Sequence, residues 1–361
     1  MTTQEFDEAK VEALCNRLFI GTLDLMEIAA VYLGDTLGLY SALVETGPIT
    51  AAKLAEHTGL SERYVEEWLG QQAISGIIDS ENGTRDASSR RYSISPEHAV
   101  VMTEKTSPAY IVFVGKFLEA VGRVLPDLVT AFRTGEGVPY AAYGPEAVAG
   151  QAAMTLPGYV NSLASEWVPQ IPGLKDRLEA GATVAEVACG AGIAAIELAK
   201  AFPKIRVDGF DLDETSIATA RENAAEAGVS DRVTFHVRDA RDPEFEGRYD
   251  VVTIFEAVHD AGDPVPLLAT LRRLVAPGGI TVVVDEKVAD EFTAPGDEIE
   301  RFMASSSVIW CLPQGLADGS HPHGTLLRTP QLRAYAKEAG WTDLETLPIE
   351  HMSWRFYRLV A

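Results

Sequence analysis

Two histidine-bearing stretches hold the residue types best suited to chemistry. In Phe255-Glu-Ala-Val-His-Asp260 an imidazole and a carboxylate stand side by side at the end of an apolar run. A neutral histidine there has the right pKa to take a proton from a hydroxyl. The second stretch, His321-Pro-His323, lies among Gly315, Gly319 and Gly324 and holds two of the chain's seven histidines. With His259 the pair could form a facial set of three imidazoles with open positions, a common arrangement for a catalytic divalent metal. The alternative is a solvated loop pair. A metal held in this way would acidify the β-carbon of a chelated 2-oxo acid as a Lewis acid. Asp260 would then accept a proton or fix a metal-bound water. An arginine (Arg133, Arg241 or Arg301) would hold the substrate carboxylate.

A further constellation is built for binding. The apolar run Thr183-Val-Ala-Glu-Val-Ala188 breaks at Cys189-Gly-Ala-Gly192, and a helical pattern with Ile193, Ile196, Leu198 and Ala199 follows at once. Glycines let the backbone turn sharply, and the helix N-terminus offers free N–H groups. Asp211 closes a second strand-like run, where an acid is placed to bind ribose hydroxyls. The unit reads as a nucleoside holder. Gly190-x-Gly192-x-x-Ala195 also satisfies the loose dinucleotide fingerprint. Glu186, however, sits inside the first strand, where it would meet an amino group and repel a pyrophosphate. A third run, Val233 to Asp239, ends in an acid followed by Ala240, which suits an adenine edge.

Together these features resemble the class I S-adenosylmethionine-dependent methyltransferases, whose strand-turn usually reads Asp/Glu-x-Gly-x-Gly-x-Gly. Ala188 stands where the first glycine would be. Leu60-Ser-Glu-Arg-Tyr-Val-Glu-Glu-Trp-Leu69, Gly135-Glu-Gly-Val-Pro-Tyr140 and Glu256-Ala-Val-His-Asp260 look like the actinobacterial methyltransferases with an N-terminal winged helix. Those are relatives of dimeric O-methyltransferases and of α-keto acid C-methyltransferases. The resemblance implies S-adenosylmethionine held by Glu186, Ala188, Gly190, Gly192, Asp211, Leu212, Asp239, Ala240 and Phe255, with His259 and Asp260 catalytic and a small-molecule substrate. It also implies a metal ion, zinc or iron, on His259, His321 and His323. The leading expectation is metal-assisted C-methylation at the β-carbon of a 2-oxo acid. The alternative is metal-independent O-methylation of a phenol or alcohol with His259 as general base.

The elements needed to position these residues are legible as periodicities. Strands near 183–188, 206–212, 233–239, 249–258 and 280–287 alternate with helices near 193–201, 214–227 and 264–276, which predicts right-handed crossovers and a mainly parallel sheet. Pro277-Gly278-Gly279 should break the chain before the fifth strand. Residues 297–311 read as helix, 312–329 as loop and 330–339 as helix. Trp341–Leu347 and Trp354–Val360 form a hairpin-like end. The fold class is therefore α/β: a Rossmann-like class I methyltransferase sheet with an antiparallel C-terminal strand, preceded by a mainly helical winged-helix domain. Expected domains are 1–105, 106–178 (a helical connector and substrate lid) and 179–361.

In the first of these, helical periodicity runs over 11–45, and Ala51–His57 and a Ser61-capped helix form a helix-turn-helix around Gly59. Ile77-Ile78 and Arg91–Ile94 should make a wing about Asn82-Gly83. A winged helix suggests DNA, yet residues 1–105 carry 8 Lys/Arg against 17 Asp/Glu, and the second helix holds Glu62, Glu66 and Glu67 against Arg63. The whole chain is at −23. Both nucleic acid and an anionic membrane surface need clustered positive charge, so neither is expected as partner. A dimerisation role fits better, with the long apolar first helix buried against a second copy. Aromatic residues (Phe113, Phe117, Phe132, Tyr140, Tyr143, Tyr159, Trp167) recur between the domains, some to pack and some to line a pocket. Unpaired Cys15, Cys189 and Cys311, the lack of a signal-peptide pattern and the lack of a membrane-length apolar run read as cytoplasmic.

Overall fold

A computed structural model of the chain describes residues 6–81 and 86–361. It divides into two compact units, one up to Glu119 and one from Ala120 onward.

The first unit opens with α1 (Glu8–Thr36), capped by Asp7, whose carboxylate accepts from the Ala9 and Lys10 N–H groups. α2 (Leu39–Thr46), β1 (Ile49–Thr50), α3 (Ala51–Thr58), α4 (Glu62–Ile74), β2 (Asp79–Ser80), β3 (Arg91–Ser93) and α5 (Pro96–Thr103) follow. Gly59 ends α3 at φ +70°, the left-handed cap that glycine favours. Ser61 does stand at the start of α4, but its side chain makes no capping hydrogen bond there. The small sheet runs β1-β3-β2, so the wing gains a third strand that sequence reasoning missed, and its first arm begins at Asp79. The expected Asn82-Gly83 turn lies outside the described residues. Tyr40, Leu43, Leu54, Trp68 and Leu69 form the buried centre, with Tyr40 packed edge-on to Trp68. α1 leaves Val11, Leu14, Leu18, Phe19, Leu23 and Met26 exposed. On α4, Arg63 is paired with Glu66 and Glu67 of its own helix.

α6 (Val114–Thr134) carries the chain into the second unit, followed by α7 (Pro145–Gly158), a π-helical stretch Tyr159–Trp167, α8 (Val168–Gln170) and α9 (Leu174–Ala180). The alternating part is β4 (Thr183–Val187), α10 (Ile193–Ala201), β5 (Arg206–Asp211), α11 (Glu214–Glu226), β6 (Val233–Val237), β7 (Tyr249–Phe255), α12 (Pro264–Leu274) and β8 (Val275–Glu286). α13 (Glu298–Ser306), a π turn Ser307–Cys311, α14 (Leu312–Asp318), α15 (Thr329–Glu338), β9 (Asp343–Thr346) and β10 (Trp354–Val360) complete it.

Seven strands lie in the order β6-β5-β4-β7-β8-β10-β9. The first five are parallel, and β10 runs antiparallel to both β8 and β9. Both faces are covered. Val184, Val207, Val251 and Val282 face Leu163, Trp167 and Leu178, while Val187, Val252, Ile254 and Val283 face Leu267, Leu271 and Leu332. Near-continuous apolar strands are what burial on both faces demands.

Two expectations need correction. Pro277-Gly278-Gly279 does not precede β8 but lies within it. Val275 pairs with Tyr249, the register then shifts, and pairing resumes at Val251 with Ile280, so the extra residues are absorbed as an irregularity. Residues 312–318, read as loop, are helical, because Pro313 falls in the first turn, where its missing N–H is harmless. Among the described residues no helix is long and apolar enough to cross a membrane.

Candidate active site

Strand order reverses between β4 and β7, and in such sheets ligands bind beyond the C-terminal ends of the strands at that switch point. A cavity of about 470 Å³ opens there. Of the expected cofactor contacts, Glu186, Ala188, Gly190, Asp211, Leu212, Asp239, Ala240 and Phe255 line it. Gly192 does not. It adopts φ +74°, and a Cβ on it would lie 2.4 Å from the Phe235 ring, so this glycine permits packing behind the turn. Ala188 sits at φ +55°, a left-handed conformation that an alanine adopts at a cost of about 1–2 kcal/mol.

Asp211 is already fixed by the turn it serves, accepting from the Gly190 N–H at 2.8 Å and the Asp213 N–H at 2.9 Å. Burial nevertheless pushes its pKa above the ordinary carboxylate value. Glu186 is buried, its Oε2 has no hydrogen-bond partner among the described residues, and burial pushes its pKa up to about 8. A cationic amino group would satisfy this orphaned oxygen and restore its charge. On these grounds the residues present suit S-adenosylmethionine. Asp239 meets Arg241 through two oxygens, at 3.0 and 2.8 Å, and this hydrogen bonding holds it below the usual carboxylate range. Arg241 also reaches Asp318 at 2.9 Å, tying the β6 loop to the end of α14.

The chemical end follows β7. Glu256 takes φ +51° and lines the cavity, as does Asp260. His259 is buried behind them. Its Nδ1 donates to Asp285 Oδ1 at 2.5 Å and its backbone N–H to Asp285 Oδ2 at 3.3 Å, while Nε2 lies 3.3 Å from Asp260 Oδ1. Burial alone would lower the His259 pKa, but the flanking carboxylates Asp260 and Asp285 outweigh it and hold the pKa well above the ordinary value. Burial raises the Asp260 pKa, against the pull of His259. The group in contact with the cavity is thus Asp260, with His259 and Asp285 in line behind it.

The three-histidine set does not assemble. His321 is 84% exposed at its side chain and bonds Asp263 at 3.2 Å. Both His323 nitrogens are engaged, Nδ1 with the Tyr335 hydroxyl and Nε2 with the Leu326 carbonyl. The glycine-rich stretch turns one ring outward and the other into its own fold. Potential ligand atoms do gather at His259, Asp260 and Cys311, within 4.8 Å of one another, a set that includes neither loop histidine. The carboxylate-binding arginines fare similarly. Arg133 and Arg301 are exposed, and Arg241 lines the cavity with its charge already met by Asp239 and Asp318.

Of the recurrent aromatics, Tyr140 and Tyr159 line the cavity. Tyr143 packs on Trp310, Trp167 on Trp354 and Phe356, and Phe132 is exposed. Sequence reasoning missed Glu256, Asp285, Glu286 and Cys311. The one available signal was the acid pair closing Val282-Val-Val-Asp-Glu286, since acids terminating an all-apolar strand belong at a strand-end site.

A methyltransferase-domain family model matches residues 178–327, and an Rv2258c-like winged helix-turn-helix domain model matches residues 26–104. The chain is 31% identical over 205 residues to a ubiquinone biosynthesis O-methyltransferase of Leptothrix cholodnii, covering 52% of this chain and 81% of that protein. It is 29% identical over 184 residues to the namesake of Pseudomonas paraeruginosa, covering 50% and 71%. Among solved structures, human N-acetylserotonin methyltransferase in complex with S-adenosylmethionine superposes with a TM-score of 0.69 at 17% identity, over 100% of this chain and 99% of that one. An N,N-8-amino-8-demethyl-D-riboflavin dimethyltransferase from Streptomyces davawensis superposes at 0.59 with 18% identity, over 96% and 99%. At such identities the likeness concerns the fold.

Proposed function

This chain belongs to the class I S-adenosylmethionine-dependent methyltransferases, and we propose that it methylates a hydroxyl of a small molecule, with Asp260 taking up the proton beside a charged His259. The observation that carries the reading is the Asp260–His259–Asp285 line, whose outer member faces the cavity. Bound at Glu186, Asp211 and Asp239, the cofactor supplies an electrophilic methyl group. Asp260 stands where an acceptor hydroxyl would lose its proton as the new C–O bond forms, and its raised basicity suits that task. His259, held by Asp285, stands 3.3 Å from Asp260 and supports its charge.

The metal-assisted reading at a 2-oxo acid draws less support, although His259, Asp260 and Cys311 remain a possible ligand group. Its histidines do not converge, and the cavity's two arginines, Arg238 and Arg241, are engaged by Asp242 and by Asp239 with Asp318. The names of the O-methyltransferase relatives agree with hydroxyl methylation. The exposed apolar residues of α1 support a homodimer, which sedimentation at micromolar concentration would test.

Methyl transfer from labelled S-adenosylmethionine to a phenol and alcohol panel, compared among wild type, Asp260→Asn and His259→Ala, tests the reading. Each variant should lose about 10²–10⁴-fold in rate while keeping cofactor affinity. Full activity in Asp260→Asn, or a product methylated at carbon, would sink it.

A further inference from the structure

The acids of the cavity sort by what already engages them. Asp211 holds the glycine turn, Asp213 caps α11 through the Ser216 N–H at 2.7 Å, and Asp239 and Asp318 clasp Arg241. Glu186 faces the cofactor's amino end, and Asp260 stands before His259. Glu256 is left without a role. Its side chain forms part of the wall, its Oε1 is shut away from bulk water, and that oxygen has no hydrogen-bond partner among the described residues. Glu286 sits behind it, with an equally unpartnered Oε2. Burial and then their mutual repulsion hold the Glu256 pKa well above the ordinary value, and burial first pushes that of Glu286 up to about 8.

A carboxyl kept dry and unpaired is costly, and two together are more so, unless a proton or a cation joins them. An anionic acceptor would meet two acids, Glu256 and Asp260, while the wall's two arginines are already paired, Arg241 with Asp239 and Asp318 and Arg238 through one nitrogen with Asp242, its Nε keeping no partner among the described residues. A cationic one would meet a waiting partner. The neighbouring walls are Tyr140, Tyr159, Phe255 and Val148, which would face a flat ring and, through the aromatic faces, favour positive charge near it.

We infer that Glu256 is the specificity-determining carboxylate of the acceptor site, and that the methyl acceptor is a small aromatic molecule bearing a protonated nitrogen, which pairs with the Glu256 carboxylate. This rests on the proposed function for where the acceptor lies, though not for which of its atoms is methylated. Glu256 takes no part in the methyl transfer. It loses its own proton to the solvent when the cation arrives and then receives a charge-assisted hydrogen bond, and Glu286 behind it sets how readily that proton leaves.

Three phenols that differ mainly in charge test the inference: tyramine (cationic), N-acetyltyramine (neutral) and 4-hydroxyphenylacetate (anionic). Binding is measured by calorimetry on protein saturated with S-adenosylhomocysteine, followed by product analysis with the methyl donor. Tyramine should bind about tenfold tighter than either of the others, with the preference shrinking to within about threefold in Glu256→Gln. Glu286→Gln, which removes the repulsion while leaving Glu256 in place, should keep the preference or strengthen it. Equal or tighter binding of the neutral or anionic phenol, no binding of tyramine, or a preference that survives Glu256→Gln overturns the inference. A tenfold loss of S-adenosylhomocysteine affinity in Glu256→Gln also overturns it, by giving that carboxylate to the cofactor. Should Glu256→Gln fail to fold, the wild-type ranking and Glu286→Gln decide. Selective binding of tyramine with methylation at nitrogen would refute the hydroxyl reading and leave this inference standing. Equal O-methylation of all three would do the reverse.

Discussion

Replacing Glu186 with glutamine should make the cofactor-free protein more stable while weakening cofactor binding, and the size of the first effect should depend on pH. Burial holds the Glu186 pKa at about 8, against an ordinary value of 4.5. Between these values the folded protein keeps a proton that the unfolded chain has lost, so this carboxyl makes folding less favourable as pH rises through the window. At about 1.4 kcal/mol per pH unit, the penalty grows from under about 1 kcal/mol at pH 5 to about 3 kcal/mol at pH 7. Glutamine, which has nothing to titrate, escapes it. In a domain of this size each kcal/mol moves the melting temperature by about 2–4 °C, so the variant should melt about 6–12 °C above wild type at pH 7 and close to it at pH 5. With S-adenosylhomocysteine present the order should narrow or reverse, because loss of a charged hydrogen bond to the amino group weakens binding by about 10- to 150-fold. Calorimetry of wild type in buffers of different ionisation enthalpy should register a proton released on cofactor binding near pH 7. A melting gap that stays flat with pH, or a variant less stable than wild type at pH 7, would exclude a protonated Glu186, since either means the carboxylate is ionised and paired without its ligand.

Asp285→Asn should lower methyl-transfer rate about 10²-fold with little change in cofactor affinity. It should also move the pH dependence of the rate downward, because one of the two carboxylates that raise the His259 pKa is gone; an unmoved pH profile would make Asp285 a merely structural partner. Gly192→Ala should destabilise the protein by about 3 kcal/mol or more in urea unfolding, since it adds both a left-handed alanine and a Cβ pressed into the Phe235 ring. His321→Ala should leave methyl transfer within about twofold, as expected of an exposed side chain, whereas His323→Ala should lower stability by about 1–2 kcal/mol through its lost bonds to Tyr335 and Leu326. A large activity loss in His321→Ala would return that residue to the site.

The alternating architecture, the glycine turn and the acids at strand ends are legible in the order of residues, because each of these is local. A run such as Thr183–Ala188 followed by Cys189–Gly192 names its own strand and turn, and Glu186, Asp211 and Asp239 then fall at one edge by the geometry of parallel strands. The sequence also located His259 and Asp260, whose place at the end of β7 follows from the apolar run before them. What it left open was which distant residues meet. The partner of His259 is Asp285, 26 residues on, brought alongside only by the pairing of β7 with β8. Cys311 arrives from the π turn ahead of α14, and although the Gly324 N–H bonds the His259 carbonyl, the two H-x-H rings turn elsewhere, one to Asp263 and the other to Tyr335. Whether a charged group is free is likewise a tertiary matter. Arg241 looked able to hold a substrate carboxylate until Asp318, at the end of a helix that periodicity did not reveal, was found to share it with Asp239. Composition and spacing report which charges exist, and only the packed fold decides which of them still lack a partner.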